Sequence, residues 1–379
     1  MSDQPQFPAT AHLHGRLPPL LLRWWDEGHA DLPWRVQNPD PYAVWVSEIM
    51  AQQTQLTTVI PYFERWMTRF PTVDALAAAP MDDVLKLWEG LGYYSRARNL
   101  HAAAQTVVNQ LAGKIPQTAA ALQKLKGIGR YTAGAIASVA FGEATAVLDG
   151  NVIRVLSRLL DLSHDTTQTA TQNYLWDVAE TLVPEQRPGD YNQALMELGQ
   201  RVCLPAAPKC HLCPLAELCL ARQRGTQMER PVRPPRQKIP HYDVAAGVIW
   251  RTEIGQGEFL ITQRPVDGLL GGLWEFPGGK QEPDETLPQT LVREIEEELA
   301  IEIIVTGKRP FVSIKHAYTH FRITLHTFHA LYQHGDIQHL GVANHAWVTL
   351  ADVEAYAFAI TDRKIIAALQ KDSHQPRLL

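Results

Sequence analysis

The chain has 379 residues, more than one average domain holds, and its 45% hydrophobic and 20% charged residues are typical of an ordinary globular protein. The net charge of −5 excludes a chain that is basic overall, so any surface that binds nucleic acid must be local. No apolar run approaches the roughly 20 residues of a membrane span, and the first residues lack the features of a signal peptide. We therefore expect a cytoplasmic protein of two or three domains.

Residues 17 to about 220 have the pattern of α-helices. Apolar residues recur at helical spacing in the segments 43–59, 81–91 and 152–160, and prolines and glycines interrupt the sequence between such segments. We predict an all-α domain over residues 1–221.

The segment 222–240 has a different composition, with four prolines and six Arg or Lys residues against one Glu. Such a sequence buries little and favours an extended, partly polyproline II linker. Two interpretations of its charge remain open, a solvated linker and a basic strand that contacts phosphates.

Residues 241–379 change to the pattern of β-strands around a single clear helix. The strands are predicted at 244–250, 258–262, 301–305 and 323–332, and the helix at 287–299. We predict a separate α+β domain over residues 241–379.

Four cysteines, all between positions 203 and 219, end the helical region. Cys203, Cys210, Cys213 and Cys219 are separated by six, two and five residues. In a reducing compartment such a cluster favours a metal site over disulfides. The residues alone fit zinc or an iron–sulfur cluster, and buried free cysteines are the alternative to both.

The sequence LKGIGR at 125–130 predicts a hairpin between two helices. Gly127 and Gly129 allow the backbone to approach a ligand closely, and the amides at the start of the next helix favour a phosphate. Lys126 and Arg130 add positive charge. The alternative is a plain helical hairpin with a glycine turn.

Two carboxylates stand out beside this hairpin. Asp149 precedes a helix, where it is either a helix N-cap or a group that stabilises positive charge. Glu48 lies among large apolar residues, and burial raises a carboxyl pKa until the group can donate a proton near neutral pH. The alternative for Glu48 is a solvent-exposed position on an amphipathic helix.

Together these features resemble the helix–hairpin–helix superfamily of DNA glycosylases, to which endonuclease III belongs. Over residues 32–219 the chain further resembles the MutY-type adenine DNA glycosylases. That resemblance rests on LPWR at 32–35, VSEIM at 46–50, QQT at 52–54, GLGYYSR at 90–96 and LDGNV at 148–152.

The resemblance implies a monomeric enzyme that flips adenine out of duplex DNA when adenine is mispaired with 8-oxoguanine or guanine. Glu48 would protonate the leaving adenine, and Asp149 would stabilise the electron-poor sugar, as paired carboxylates do in glycoside hydrolysis. Tyr131 and Asn151 would position these groups. The resemblance also implies roles on DNA for Arg35 in the base pocket, and for Gln53 and Tyr93 as a wedge.

The cysteine spacing resembles the 4Fe-4S site of the endonuclease III family, and the resemblance implies a structural cluster whose loop brings Lys209 near DNA. Relatives that also cut the backbone carry a lysine two residues after the second hairpin glycine, where this chain has Tyr131. We therefore expect a monofunctional glycosylase. The alternatives are a glycosylase/lyase of endonuclease III type and a non-enzymatic protein that binds lesions.

The C-terminal domain resembles the Nudix fold, whose helix carboxylates bind Mg²⁺ on a nucleoside diphosphate. The matching residues are Gly279, Glu285, Arg293, Glu294, Glu297 and Glu298, with Ala300 where the pattern has glycine. Three interpretations follow: a lesion-recognition domain, a second Nudix hydrolase activity on oxidised nucleoside triphosphates, and an acidic surface helix. Tyr318, Thr319 and His320 resemble the lesion-recognition loop of the MutY-type enzymes.

Overall fold

The computed structural model describes residues 6–235 and 239–373. These residues form two compact units, the first from 6–78 and 99–235 and the second from 79–98 and 239–373. Within those described ranges, no helix combines the length and the apolar character needed to cross a membrane.

The first unit is built from α-helices. As far as Arg224 the chain contains α1 (Leu17–Glu27), α2 (Pro41–Ala51), α3 (Leu56–Arg69), α4 (Val73–Ala77), α5 (Met81–Trp88), α6 (Ser95–Leu111), α7 (Ala119–Leu122), α8 (Arg130–Phe141), α9 (Gly150–Leu159), α10 (Thr169–Leu182), α11 (Pro188–Arg201) and α12 (Leu220–Arg224). Of these, α5 and the first four residues of α6 belong to the second unit. Short 3₁₀ turns at Cys210–Leu212 and Ala216–Leu218 lie in the cysteine segment.

The core of the first unit forms around α9. Its residues Val152, Val155, Leu156 and Leu159 are buried together with apolar residues of α1, α10 and α11. This burial follows the helical spacing of the sequence, which puts these four side chains on one face. The packing fixes the start of α9, and with it Asp149.

The predicted helix at 43–59 is two helices, α2 and α3, separated by residues 52–55. Gln53 adopts a left-handed backbone conformation, with φ of 55°, which ends the helical run. Apolar residues continue on both sides of this break, so their spacing alone did not reveal it.

The second unit contains a mixed eight-stranded sheet. The elements are β1 (His241–Trp250), β2 (Phe259–Gln263), β3 (Trp274–Glu275), β4 (Gly278–Lys280), α13 (Leu287–Leu299), β5 (Glu302–Val305), β6 (Val312–Ala317), β7 (Arg322–His334), β8 (Asn344–Val348) and α14 (Ile360–Ser373), with a 3₁₀ turn at Asp352–Ala355. β1 pairs with β7 in parallel along its length, and the remaining strand pairs are antiparallel.

A helix covers each face of this sheet. Ala245 and Ile249 of β1 pack with Leu291 and Ile295 of α13 in one cluster. Ala246 and Val248, which point to the opposite face, belong to a second cluster with Ile365, Ile366 and Leu369 of α14. The fold is thus a helical unit and a unit with helices on both faces of a mixed sheet, which confirms the prediction of an all-α domain followed by an α+β domain.

The domain prediction needs two corrections. Residues 79–98, predicted within the helical domain, belong to the second unit. The first part of the predicted linker is not extended, because residues 222–224 continue α12 and the arginines Arg224 and Arg230 form ion pairs of 3.0 and 2.9 Å with Asp161. The Asp161 side chain is only 6% exposed, so cationic partners offset the cost of its burial. Residues 236–238 of the predicted linker lie outside the described residues.

Candidate active site

Glu48 and Tyr131 meet in the first unit. Glu48 lies on α2, which is buried on most of its surface, and Tyr131 is the second residue of α8, directly after the glycine hairpin. The Tyr131 hydroxyl donates to Glu48 Oε2 at 3.0 Å and also lies 3.3 Å from Met196 Sδ. The two helices therefore hold a phenol against a carboxyl group.

The environment makes Glu48 a proton carrier at neutral pH. Burial raises the pKa of Glu48 to about 7, with a further increase from the negative charge of Asp149 and opposing effects from the Tyr131 hydrogen bond and the Arg35 charge. Burial likewise raises the pKa of Tyr131 well above its usual value, so the phenol stays protonated. Near pH 7 both forms of Glu48 are populated.

Asp149 is the N-cap of α9. Its Oδ1 accepts the backbone N–H groups of Asn151 at 2.9 Å and Val152 at 2.7 Å, and its Oδ2 accepts Asn151 Nδ2 at 2.7 Å. Burial raises the pKa of Asp149, and these hydrogen bonds, which favour the ionised form, oppose that increase. The capping role expected as an alternative is therefore present, and the charge of Asp149 also contributes to the raised pKa of Glu48.

Arg154 supports this arrangement, and the sequence analysis did not identify it. Its Nη2 donates to Asn151 Oδ1 at 2.9 Å and to the Gly199 carbonyl at 2.8 Å, and its Nε donates to the Cys203 carbonyl at 2.7 Å. Asn151 is thus held from both ends, by Arg154 and by Asp149. In the sequence, the available signal was an arginine on the same helix as the apolar stripe. The structure leaves Arg154 only 9% exposed.

The two hairpin glycines differ in the space around them. Gly127 has φ of 81°, and a Cβ added there would lie 2.6 Å from the Cβ of Asn99. Gly129 has no atom within 4 Å of an added Cβ and is the N-cap of α8. The amide end of α8 is therefore open to a ligand, as the hairpin prediction requires.

The predicted DNA-contacting side chains of the first unit are partly engaged within the protein. Arg130 forms an ion pair with Glu180 and lies 4.0 Å from the centre of the Trp176 ring. Arg35 pairs with the buried carboxylate of Glu197 and donates from Nε to Gln193 Oε1 at 3.0 Å. Lys126 on the hairpin, Gln53 after α2 and Arg130 itself are exposed.

The four cysteines line one small cavity of about 20 Å³. All four are free thiols of intermediate exposure. Arg158 directs Nη1 to Cys203 Sγ at 3.3 Å, and Cys219 Sγ contacts the Arg158 carbonyl at 3.3 Å.

Across residues 6–235 and 239–373, no group of three or more His, Cys, Asp or Glu side chains is arranged to hold a metal ion. A four-iron cluster takes one thiolate on each iron, so its ligands are further apart than the ligands of a single zinc ion. Four thiols line one cavity here, and the Arg158 guanidinium beside Cys203 has the charge that would offset that of an anionic thiolate cluster.

In the second unit, Tyr93 and the predicted lesion-recognition residues meet. The Tyr93 hydroxyl lies 3.0 Å from Thr319 Oγ1, and Tyr318 packs on Phe321 with ring centres 4.7 Å apart. The segments 90–95 and 316–321 border a cavity of about 650 Å³, with Leu269 and Leu270 on another side. His320 also lines this cavity.

The Nudix-like residues form an ion-pair network. Arg293 contacts Glu285 at 2.6 Å, Glu294 at 3.1 Å and Glu297 at 3.1 Å. Burial, followed by the Glu294 charge, raises the pKa of Glu298 to about 7.

Two backbone positions shape this network. A Cβ added to Gly279 would lie 2.1 Å from the Glu294 carboxyl carbon, so glycine makes room for that side chain. Ala300 adopts the left-handed conformation that ends α13, with φ of 54°, which glycine would adopt at lower cost. The turn is therefore formed despite the departure from the family pattern.

Two family models match the chain. Residues 46–181 match the HhH-GPD superfamily of base excision DNA repair proteins, and residues 245–368 match the NUDIX domain. An adenine DNA glycosylase from Homo sapiens is 40% identical over 357 residues, covering 81% of this chain and 65% of the relative.

A second adenine DNA glycosylase, from Rattus norvegicus, is 39% identical over 359 residues and covers 81% of this chain and 69% of the relative. The chain thus spans about two thirds of the length of these two relatives. A solved structure of a thermostable thymine-DNA glycosylase is similar over 55% of this chain and 95% of that chain, with 28% identity and a TM-score of 0.49.

Proposed function

Because the chain belongs to the adenine DNA glycosylase family, we propose that it excises adenine mispaired with 8-oxoguanine or guanine in duplex DNA by hydrolysing the N-glycosidic bond. One observation carries this proposal: a buried carboxyl group, Glu48, accepts a hydrogen bond of 3.0 Å from Tyr131 of the hairpin helix, and burial together with the charge of Asp149 raises its pKa to about 7. This is the acid and counter-charge that cleavage of a glycosidic bond requires.

Glu48 serves as the general acid. Departure of adenine moves the electron pair of the bond between sugar and base onto the base, and a proton from Glu48 makes the base a neutral leaving group. The hydrogen bond from Tyr131 to Glu48 Oε2 fixes the orientation of the carboxyl group, so the proton resides on the other oxygen. The ionised Glu48 then accepts a proton from the attacking water, which restores the acid form.

Asp149 serves as the carboxylate that stabilises the positive charge on the sugar. The hydrogen bonds from Asn151 and the α9 backbone hold its two oxygens in place before substrate binds. Such preorganised charge costs little reorganisation at the moment of reaction.

Tyr131 makes the enzyme monofunctional. A glycosylase that also cleaves the backbone needs an amine that forms a Schiff base with the sugar. The phenol at this position is protonated and hydrogen-bonded to Glu48. Borohydride should therefore trap no more protein on DNA than it traps with a Glu48→Gln variant, and efficient trapping would favour an endonuclease III type activity.

The hairpin and the wedge residues Gln53 and Tyr93 bind the DNA while its adenine is flipped out of the stack. The open amide end of α8, with Gly127, Gly129 and the exposed Lys126, suits a DNA phosphate. Flipping costs unstacking energy, which Gln53 and Tyr93 offset by filling the space beside the orphan base. Arg35 lies close enough to Glu48 to affect its pKa, which supports its assignment to the base pocket.

The four cysteines hold a structural 4Fe-4S cluster, supported by the shared cavity and the Arg158 contact to Cys203. Iron–sulfur clusters absorb visible light, whereas zinc has a filled d shell and does not. The spectrum and iron content of freshly purified protein distinguish the two metals. A colourless protein with one bound zinc would contradict this assignment.

The second unit reads the base opposite adenine through Tyr318, Thr319 and His320. The cavity that these residues line, and the contact of Thr319 with Tyr93, support this role. The competing Nudix activity predicts Mg²⁺-dependent release of pyrophosphate from 8-oxo-dGTP by the full-length protein, abolished by Glu297→Gln.

The decisive assay measures adenine release under single-turnover conditions from duplexes that differ only in the base opposite adenine: 8-oxoguanine, guanine or thymine. We expect the fastest release opposite 8-oxoguanine and a loss of release in Glu48→Gln. Unchanged release by a folded Glu48→Gln protein would exclude the mechanism. Binding without release by the unaltered protein would instead favour a lesion-binding role.

A further inference from the structure

Residues 79–98 are part of the second unit and carry Tyr93. The first helix of this segment, α5, has only eight residues, too few to be stable alone. The segment is held by contacts with distant parts of the same unit. Gln263 Nε2 donates to Asp82 of α5 at 3.2 Å, Lys86 of α5 donates to the Tyr356 carbonyl at 2.9 Å, and Arg98 of α6 donates to the Gly271 carbonyl at 2.6 Å.

The strongest contact is at Glu89, the residue that caps the C-terminal end of α5. Arg363 of α14 binds its two oxygens through Nε and Nη2, both at 2.7 Å. The Phe358 backbone N–H donates to the same carboxylate at 2.7 Å, and Lys86 lies 3.1 Å away. The Glu89 and Arg363 side chains are only 17% and 19% exposed, so this bidentate pair is largely shielded from water.

The chain after Glu89 enters a tight turn that presents Tyr93. Gly90, Gly92 and Tyr93 all have left-handed backbones, with φ of 96°, 74° and 48°. The Trp88 indole and Arg96 Nη2 donate to the Gly92 carbonyl at 3.0 and 3.1 Å. Few residues separate the anchored carboxylate from the Tyr93 ring, so a shift of Glu89 is transmitted to Tyr93.

Tyr93 is 44% exposed and meets Thr319 through its hydroxyl. The loop that starts at Gly90 also forms one wall of the 650 Å³ cavity, opposite the segment 316–321. The distance between these two walls thus depends on where Glu89 holds the loop.

We propose that the Glu89–Arg363 ion pair is a positioning device that sets selectivity for the base opposite adenine. It holds the Tyr93 loop at the distance from Thr319 that fits an oxidised purine. This inference rests on the proposed excision of adenine. Neither residue touches DNA in this proposal, and each acts through Tyr93.

The test compares Glu89→Gln and Arg363→Met with Glu354→Gln in the full-length protein. Glu354 is the matched control, because it contacts Arg363 at 2.9 Å yet is 67% exposed and leaves Glu89 untouched. Single-turnover adenine release is measured opposite 8-oxoguanine and opposite guanine. We expect Glu89→Gln and Arg363→Met each to lose about tenfold of the preference for 8-oxoguanine over guanine. The rate of release opposite guanine in these two variants should change less than twofold. The preference of Glu354→Gln for 8-oxoguanine should also change less than twofold.

Amide hydrogen exchange in the absence of DNA provides a readout independent of catalysis. Residues 90–94 should exchange faster in Glu89→Gln than in the unaltered protein or in Glu354→Gln. Equal exchange in all three proteins would overturn the positioning role even if no adenine were released from any substrate. Equal loss of release on both substrates, in variants that remain folded, would show that the pair only stabilises the fold.

Discussion

Replacing Tyr131 by Phe removes the hydrogen bond to Glu48 Oε2, which is 3.0 Å long and favours the ionised carboxylate. A hydrogen bond to a charged group is worth about 1.5–3 kcal/mol, and one pKa unit corresponds to about 1.4 kcal/mol. The Glu48 pKa of about 7 should therefore rise in Tyr131→Phe. An increase of roughly one unit is the conservative expectation.

The consequence is a shift of the pH dependence of adenine release. The acid form of Glu48 is the reactive one, so the rate falls as pH rises through its pKa. At pH 8 the protonated fraction should increase from about one tenth to about one half, whereas at pH 6 it hardly changes. The rate of Tyr131→Phe divided by the rate of the unaltered protein should thus be about fivefold higher at pH 8 than at pH 6.

The assay is single-turnover release from an adenine:8-oxoguanine duplex between pH 5.5 and 9, with enzyme in excess. Tyr191→Phe is the control, because within the described part of the chain the buried Tyr191 hydroxyl has no hydrogen-bond partner. Its profile should match that of the unaltered protein. An alkaline limb that stays in place or moves to lower pH in Tyr131→Phe would refute the assigned contact between the phenol and the acid.

Three further outcomes follow from the first unit. Glu197→Gln should lower the free energy of unfolding by about 3 kcal/mol, because its carboxylate is 1% exposed and paired with Arg35; urea denaturation measures this, and a loss below about 1 kcal/mol would contradict it. Gly127→Ala should weaken duplex binding at least about tenfold, since the new Cβ would lie 2.6 Å from that of Asn99; fluorescence anisotropy on protein shown to be folded tests it, and unaltered affinity would argue against the hairpin as a binding element. Cys213→Ser should reduce visible absorption and iron content, and a variant with full iron content would remove Cys213 from the ligand set.

Much of the active site could be predicted because its residues are local to strong patterns. Asp149 is two residues before Asn151 at a helix start, and the hairpin glycines precede Tyr131 by only a few positions. Glu48 could be picked out only by its apolar surroundings and by the family resemblance. Its contact with Tyr131 spans 83 positions and has no local signature.

The assignment of residues 79–98 to the second unit could not be predicted from periodicity. Helical spacing indicates that α5 is a helix and has a buried face, but it does not indicate which part of the chain covers that face. Phe358 and Arg363, which bind Glu89, are more than 260 residues away from it in the sequence. The short strands β3 and β4, of two and three residues, likewise contain too few positions to display an alternating pattern.

The N-cap role of Asp149 means that one side chain serves both the proposed reaction and the stability of the fold. Catalytic groups commonly reduce stability, and proteins trade one property against the other. Here the carboxylate proposed to stabilise the reacting sugar also satisfies the first amides of α9, a helix at the centre of the core. An alanine at this position would lose a cap worth about 0.5–2 kcal/mol together with the reaction. Selection for a stable fold and selection for catalysis therefore favour the same residue.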